Sequence, residues 1–264
     1  LRLFIDYWFS LLANLTELDK RLRIGAVSYL NTRPLMHGVL RSGLMQKVDL
    51  IADFPANIAA MLLNDEIDIG LVPVAIIPRL KEAHIITNYC IGAVGRVESV
   101  GIFSEVPLEQ VEKLILDYQS RTSVNLARIL LKEYWKKEVE LVQAKEDYRH
   151  LIKGTTAAVV IGDRALSQHK KSAYYYDLSE AWQKHTGLPF VFAVWVANKP
   201  VDADFEDAFN RANAYGIHHI AEVVEGLDFA DFDLIKYYTQ HISYTFDEAK
   251  QKGLELFLHK LTQL

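Results

Sequence analysis

The stretch "PFVFAVWVA", Pro189 to Ala197, decides how the rest of the chain is arranged. It carries no charge and is rich in Val and Phe, so it reads as a long strand. A second extended run lies near residues 90–103, where "NYCIGAVGRV" passes into "ESVGIFS". Taken as the two crossings between lobes, these runs make the middle of the chain one lobe and its two ends together the other. The expected boundaries are 21–97 plus 197–264 for lobe one and 98–196 for lobe two.

Outward from these runs the pattern alternates. "RLRIGAVSYL" is a strand candidate, followed by a helix from Pro34 to about Arg41. "VDLIADF", the helix "PANIAAMLLND" and the strand "IDIGLVPV" continue the series, with Pro55 in a tolerated first-turn position. After the break at "ESVGIFS" the alternation restarts. "KLILDY", "VELVQA", "AAVVIGD" and "AYYYDL" are predicted strands, and "SVNLARILLKEYW", "EDYRHLIKG" and "SEAWQKHTG" are predicted helices. Beyond Asn198-Lys199-Pro200 the pattern is almost wholly helical. Two α/β series of this kind predict mainly parallel sheets covered by helices, with a cleft between the lobes.

The chain has 264 residues, 50% hydrophobic, with a formal charge of −5. The apolar fraction supports a packed core. The mild acidity and scattered Lys and Arg speak against a nucleic-acid partner. One cysteine, Cys90, excludes an intrachain disulfide framework and reads as a small buried hydrophobe. Cytoplasm is the expected location. The first twenty residues, "LRLFIDYWFSLLANLTELDK", are interrupted by Asp6, lack a small-residue cleavage site and are too short to span a bilayer. They are taken as an extension of unknown role, with no membrane partner.

In open α/β sheets ligands sit beyond the carboxyl ends of strands, near helix N-termini. Three places qualify. In "YLNTRPL", Asn31 or Thr32 either caps the helix begun by Pro34 or meets a ligand. In "LDYQSRTSVNLARILL", Ser120, Thr122 and Ser123 crowd a helix start suited to a carboxylate or phosphate. In "VVIGDRAL", Asp163 either caps the next helix or faces the cleft. "GAVGRV" lacks the spacing of a dinucleotide loop, and His218-His219 lacks the i, i+4 pairing of a zinc helix. These readings lead to a cleft for a small anion and leave binder and enzyme both open.

"VSYLNTRPL", "VESVGIFS", "DYQSRTSVNLARILL", "VVIGDRAL" and "TGLPFVFAVWVA", in this order, resemble the chorismate dehydratase family of the futalosine route to menaquinone. The resemblance runs from about Arg23 to the end, including "YYTQHISYTFDEAKQKGLELF". It implies an α/β fold of two lobes like the type II periplasmic binding proteins, with an interlobe cleft and C-terminal helices. It also implies loss of water from chorismate to give 3-[(1-carboxyvinyl)oxy]benzoate, with chorismate as the small-molecule partner and no metal or organic cofactor. By resemblance Asn31 is the catalytic donor. Ser99, Thr122 and Ser123 would hold the carboxylates, and Tyr29, Gly162 and Asp163 would contribute to the cleft wall. Arg33 and Arg121 are candidate counter-ions to which the motifs assign no role. The alternative is a non-catalytic solute-binding protein for a small carboxylate.

Overall fold

The computed structural model describes residues 21–227, 229 and 232–264. The extension read at residues 1–20 lies outside the described residues. Two mixed sheets form the frame. The first contains β1 (Leu22–Val27), β2 (Val48–Asp53), β3 (Ile69–Pro73), β4 (His84–Ala93), β10 (Phe190–Ala197) and β11 (Ser243–Thr245), in the spatial order β11-β4-β10-β3-β1-β2. The second contains β5 (Val100–Ser104), β6 (Lys113–Leu116), β7 (Glu140–Gln143), β8 (Thr156–Ile161) and β9 (Tyr174–Asp177), ordered β7-β6-β8-β5-β9.

Each sheet has a parallel half, β2-β1-β3 in one and β7-β6-β8 in the other, completed by antiparallel strands. The expectation of mainly parallel sheets is corrected to this mixed arrangement. The reason is that β5 and β10 each begin after a crossing, and both run antiparallel to the strands they join.

Strand β10 also moves a boundary. All eight of its residues are buried, and it pairs antiparallel with β3 on one side and β4 on the other. A charge-free strand finds its best burial at a sheet centre, since each fully buried Val or Phe is worth about 1.5–3 kcal/mol. Residues 190–196, expected in lobe two, therefore lie in the first sheet. The return crossing runs between Asp177 and Phe190, and the outward one between Ala93 and Val100.

Helix α1 (Arg33–Arg41) follows a 3-10 turn at Leu30–Thr32, and α2 (Pro55–Leu63) follows β2. In the second half α3 (Thr122–Glu133), α4 (Asp163–Gln168) and α5 (Leu178–Thr186) follow β6, β8 and β9. The predicted helix at "EDYRHLIKG" is only a 3-10 turn at Arg149–Leu151. Asp147 explains it: its carboxylate accepts the Arg149 N–H at 3.2 Å and two guanidinium bonds, a local closure that competes with helical pairing.

After β10 come α6 (Ala203–His218), α7 (Ile220–Val224) and α8 (Glu248–Leu261). This tail is less helical than expected. A π-turn at Tyr237–His241 leads into β11, which pairs with β4. Helices α1 and α6 cross at two glycines. A Cβ on Gly38 would sit 1.7 Å from the Ala212 carbonyl oxygen, and one on Gly216 would sit 1.8 Å from that of Pro34. That close crossing seats α1, and with it the turn that carries Asn31.

Candidate functional site

Between the two halves lies a cleft enclosing about 540 Å³ of space, open solvent included. Six predicted site residues line it: Tyr29, Asn31, Ser99, Thr122, Ser123 and Gly162. No Asp, Glu, Lys, Arg or His side chain does so, among the described residues. Apolar surface from Val27, Ile91, Val100 and Phe192 completes the walls.

The first wall is the exit of β1. Tyr29 is in extended conformation, and the chain then tightens into the Leu30–Thr32 turn. Neither Asn31 nor Thr32 makes a side-chain cap to the helix behind it. Instead the Asn31 carbonyl accepts the Tyr244 hydroxyl at 2.9 Å, and its side-chain oxygen is 3.4 Å from the Thr32 hydroxyl. The residue is buried yet faces the cleft.

The second wall is the turn after β6. Asp117 accepts the Gln119 N–H at 2.7 Å, an Asx-type closure that reverses the chain. Ser120 then accepts the Ser123 N–H at 3.0 Å, so the capping role in this triplet falls to Ser120. The Thr122 hydroxyl donates to the Phe192 carbonyl and accepts from the Ala75 N–H, both at 3.2 Å. It ties α3 to the first sheet. Ser123 and the start of a twelve-residue helix lie on the cleft side of this turn.

Asp163 stands beside the cleft rather than in its lining. Its carboxylate accepts the Leu30 N–H at 3.0 Å, across the two halves. Burial raises its pKa, opposed by that bond and by Arg33 and Arg164. Gly162, just before it, has φ +61 and ψ −147, where a side chain is strained, and a Cβ there would meet the Tyr29 ring at 2.8 Å. The Tyr29 hydroxyl donates to Gln119 at 2.5 Å, and burial raises its pKa. Arg33 and Arg121 are exposed and outside the cleft lining.

Ser99 comes from the outward crossing. Its hydroxyl accepts from the Tyr237 phenol at 2.7 Å, and its carbonyl accepts the Gly162 N–H at 2.8 Å. Tyr237 and Tyr244 are residues that sequence reasoning missed. Both phenols reach the site from more than 130 positions away, and no local spacing signals that. A polar knot below the second wall was missed as well. Fully buried Asp117 pairs with Arg164 at 2.7 Å and accepts the Tyr148 hydroxyl at 2.6 Å.

A family model described as menaquinone biosynthesis matches residues 22–263. The chain belongs to that family. A curated relative, the chorismate dehydratase of Thermus thermophilus, is 26% identical over 262 residues, covering 90% of this chain and 94% of the relative. Among solved structures, a protein from Archaeoglobus fulgidus superposes with a TM-score of 0.72 at 13% identity, covering 92% of this chain and 97% of its own. The periplasmic aliphatic sulphonate binding protein of Escherichia coli gives a TM-score of 0.62 at 16% identity, covering 92% and 91%. The last two carry the fold: two α/β lobes around a ligand cleft, as in periplasmic binding proteins. Cys90, 0% exposed with its thiol pushed up to about 12 by burial, is part of the core of this family member.

Proposed function

We propose that this protein is a chorismate dehydratase, a hydro-lyase that converts chorismate to 3-[(1-carboxyvinyl)oxy]benzoate within menaquinone biosynthesis. One observation carries the reading. Asn31, Ser99, Thr122 and Ser123, drawn from three separate parts of the chain, line a single cleft that has no charged side chain among the described residues. The family match and the Thermus relative supply the chemistry that such a cleft would serve.

The reaction suits these residues. The C3 hydrogen of chorismate is vinylogous to the ring carboxylate, so its removal spreads negative charge onto that carboxylate. The C4–O bond then breaks, a C3–C4 double bond closes the aromatic ring, and the hydroxyl leaves as water with a proton. Two carboxylates must be held, and the developing charge must be stabilised. A further protein carboxylate in the cleft would raise the cost of that dianion. In this reading the Asn31 amide donates to the substrate, and Ser99, Ser123 and the α3 N-terminus hold carboxylate oxygens. The substrate's own enolpyruvyl carboxylate takes the C3 proton. The reading places the enzyme in the cytoplasm with a soluble substrate.

The test is incubation of the purified protein with chorismate, followed by chromatography for the aromatic product. Product accumulating with enzyme concentration supports the reading. Saturable binding of chorismate that is returned unchanged would replace it with a solute-binding role on the same fold.

A further inference from the structure

We propose that Tyr237 is a positioning residue, orienting the Ser99 hydroxyl so that its proton points at the bound carboxylate. The proposal rests on the reading that Ser99 holds substrate in this cleft. Tyr237 is fully buried and opens the five-residue π-turn Tyr237–His241, a rare conformation that concentrates at functional places. Its phenol donates to Ser99 Oγ at 2.7 Å. A serine hydroxyl has one proton and two lone pairs. Once one lone pair is taken by the phenol, the serine proton is the group left to give.

The rest of Ser99 is already fixed. Its carbonyl holds the Gly162 N–H. The residue before it, Glu98, sits at φ +63, a left-handed conformation costly for a side chain. Asp177 holds that turn by accepting the N–H groups of Val97 and Glu98, each at 2.9 Å. What remains loose in Ser99 is the rotation of its hydroxyl, and Tyr237 sets it. Asn31 is the phenol's other polar neighbour, and Tyr244, seven residues further on, holds the Asn31 carbonyl. The ring of Tyr237 packs edge-on against Phe232 at 5.6 Å. It also packs against the Tyr238 ring at 5.5 Å, and Tyr237→Phe removes the hydroxyl while leaving both ring contacts in place. A phenol carries its proton throughout the neutral range, and burial raises its pKa further.

A double-mutant cycle tests this, with kcat and KM for chorismate measured for wild type, Tyr237→Phe, Ser99→Ala and the double variant, and melting curves for each. Tyr237→Phe should lose about ten- to hundredfold in kcat/KM while melting close to the wild type. Added to Ser99→Ala, it should cost less than about twofold, because the hydroxyl it orients is gone. In a Ser99→Thr background, which restores a hydroxyl, the loss should return. Full activity of Tyr237→Phe overturns the proposal, and so does an equal loss in the Ser99→Ala background. Equal activity of Ser99→Ala and Ser99→Thr overturns it without any change at position 237. A wild-type protein that forms no aromatic product removes the chorismate reading and this proposal together, whereas active wild type with an indifferent Tyr237→Phe removes the proposal alone.

Discussion

At Asn31 a neutral amide occupies the point where the β1 exit meets the opposite half of the molecule. If it donates to charge developing on the substrate, Asn31→Ala should lose about 2–4 kcal/mol of transition-state stabilisation, read as kcat/KM for chorismate. Asp163 presents a different case. Its carboxylate is buried against the Leu30 N–H, and its pKa lies above the ordinary 3.8. The folded state therefore keeps this proton to a higher pH than the unfolded chain does. Its contribution to stability is greatest at low pH and is lost as pH rises through the folded pKa. Asp163→Asn removes the titration. The wild type should lose stability relative to that variant from about pH 4 toward neutrality, measured by urea midpoints. A difference that grows in the wild type's favour over that range would contradict the assignment. Asn31 and Ser123 drew attention because each lies in a strand-to-helix segment, and Ser99 only through the resemblance; all three line the cleft. Tyr237 drew none. Its partner Ser99 is 138 positions away, and a phenol in a helical tail carries no local mark of such a contact.

Among elements, α1 shows how packing reaches the site. It begins where the Asn31 turn ends, and it lies against α6 closely enough that Gly38 and Gly216 have no room for a methyl group. Gly38→Ala would push a Cβ onto the Ala212 carbonyl, so the helices must separate. The expected cost is about 1–3 kcal/mol, measured as a lower urea midpoint. A midpoint equal to the wild type would show that the crossing is looser than described. The β/α alternation was readable because a twofold apolar period gives way to a helical one along most of the chain. It failed at Glu146–Gly154, where the Asp147 side chain closes on Arg149 and ends the helix before it starts. It failed also at β11, whose three residues gain their structure from β4 rather than from their own sequence.

On the scale of the whole molecule, bonds between the two halves converge on the cleft. Asp163 holds Leu30, Gln119 holds Tyr29, and Thr122 joins Phe192 to Ala75. The mixed sheets and the position of β10 follow from where the chain crosses; the outward crossing was visible in the extended run at 90–103, whereas the return crossing lies between Asp177 and Phe190, ahead of the apolar run expected to carry it. Which sheet β10 would join was not visible, since an apolar run records burial and not partners. Ligand bound in such a cleft should stabilise both halves together. In the Asn31→Ala variant, where turnover is slow, chorismate at a hundredfold excess over its Kd should add about 2.7 kcal/mol to the unfolding free energy. An unchanged melting curve at that concentration would mean that chorismate does not bind the native protein.

The central claim is that neutral donors gathered in this cleft bring about the loss of water from a doubly charged substrate. Kinetics of Asn31→Asp beside Asn31→Ala address it most directly, because aspartate keeps the shape of the side chain and exchanges its donor for a negative charge. Both variants should fall well below wild type in kcat/KM, with aspartate at or below alanine. An aspartate variant that matches or exceeds the wild type would mean that a protein base at this position removes the proton, and would contradict the account.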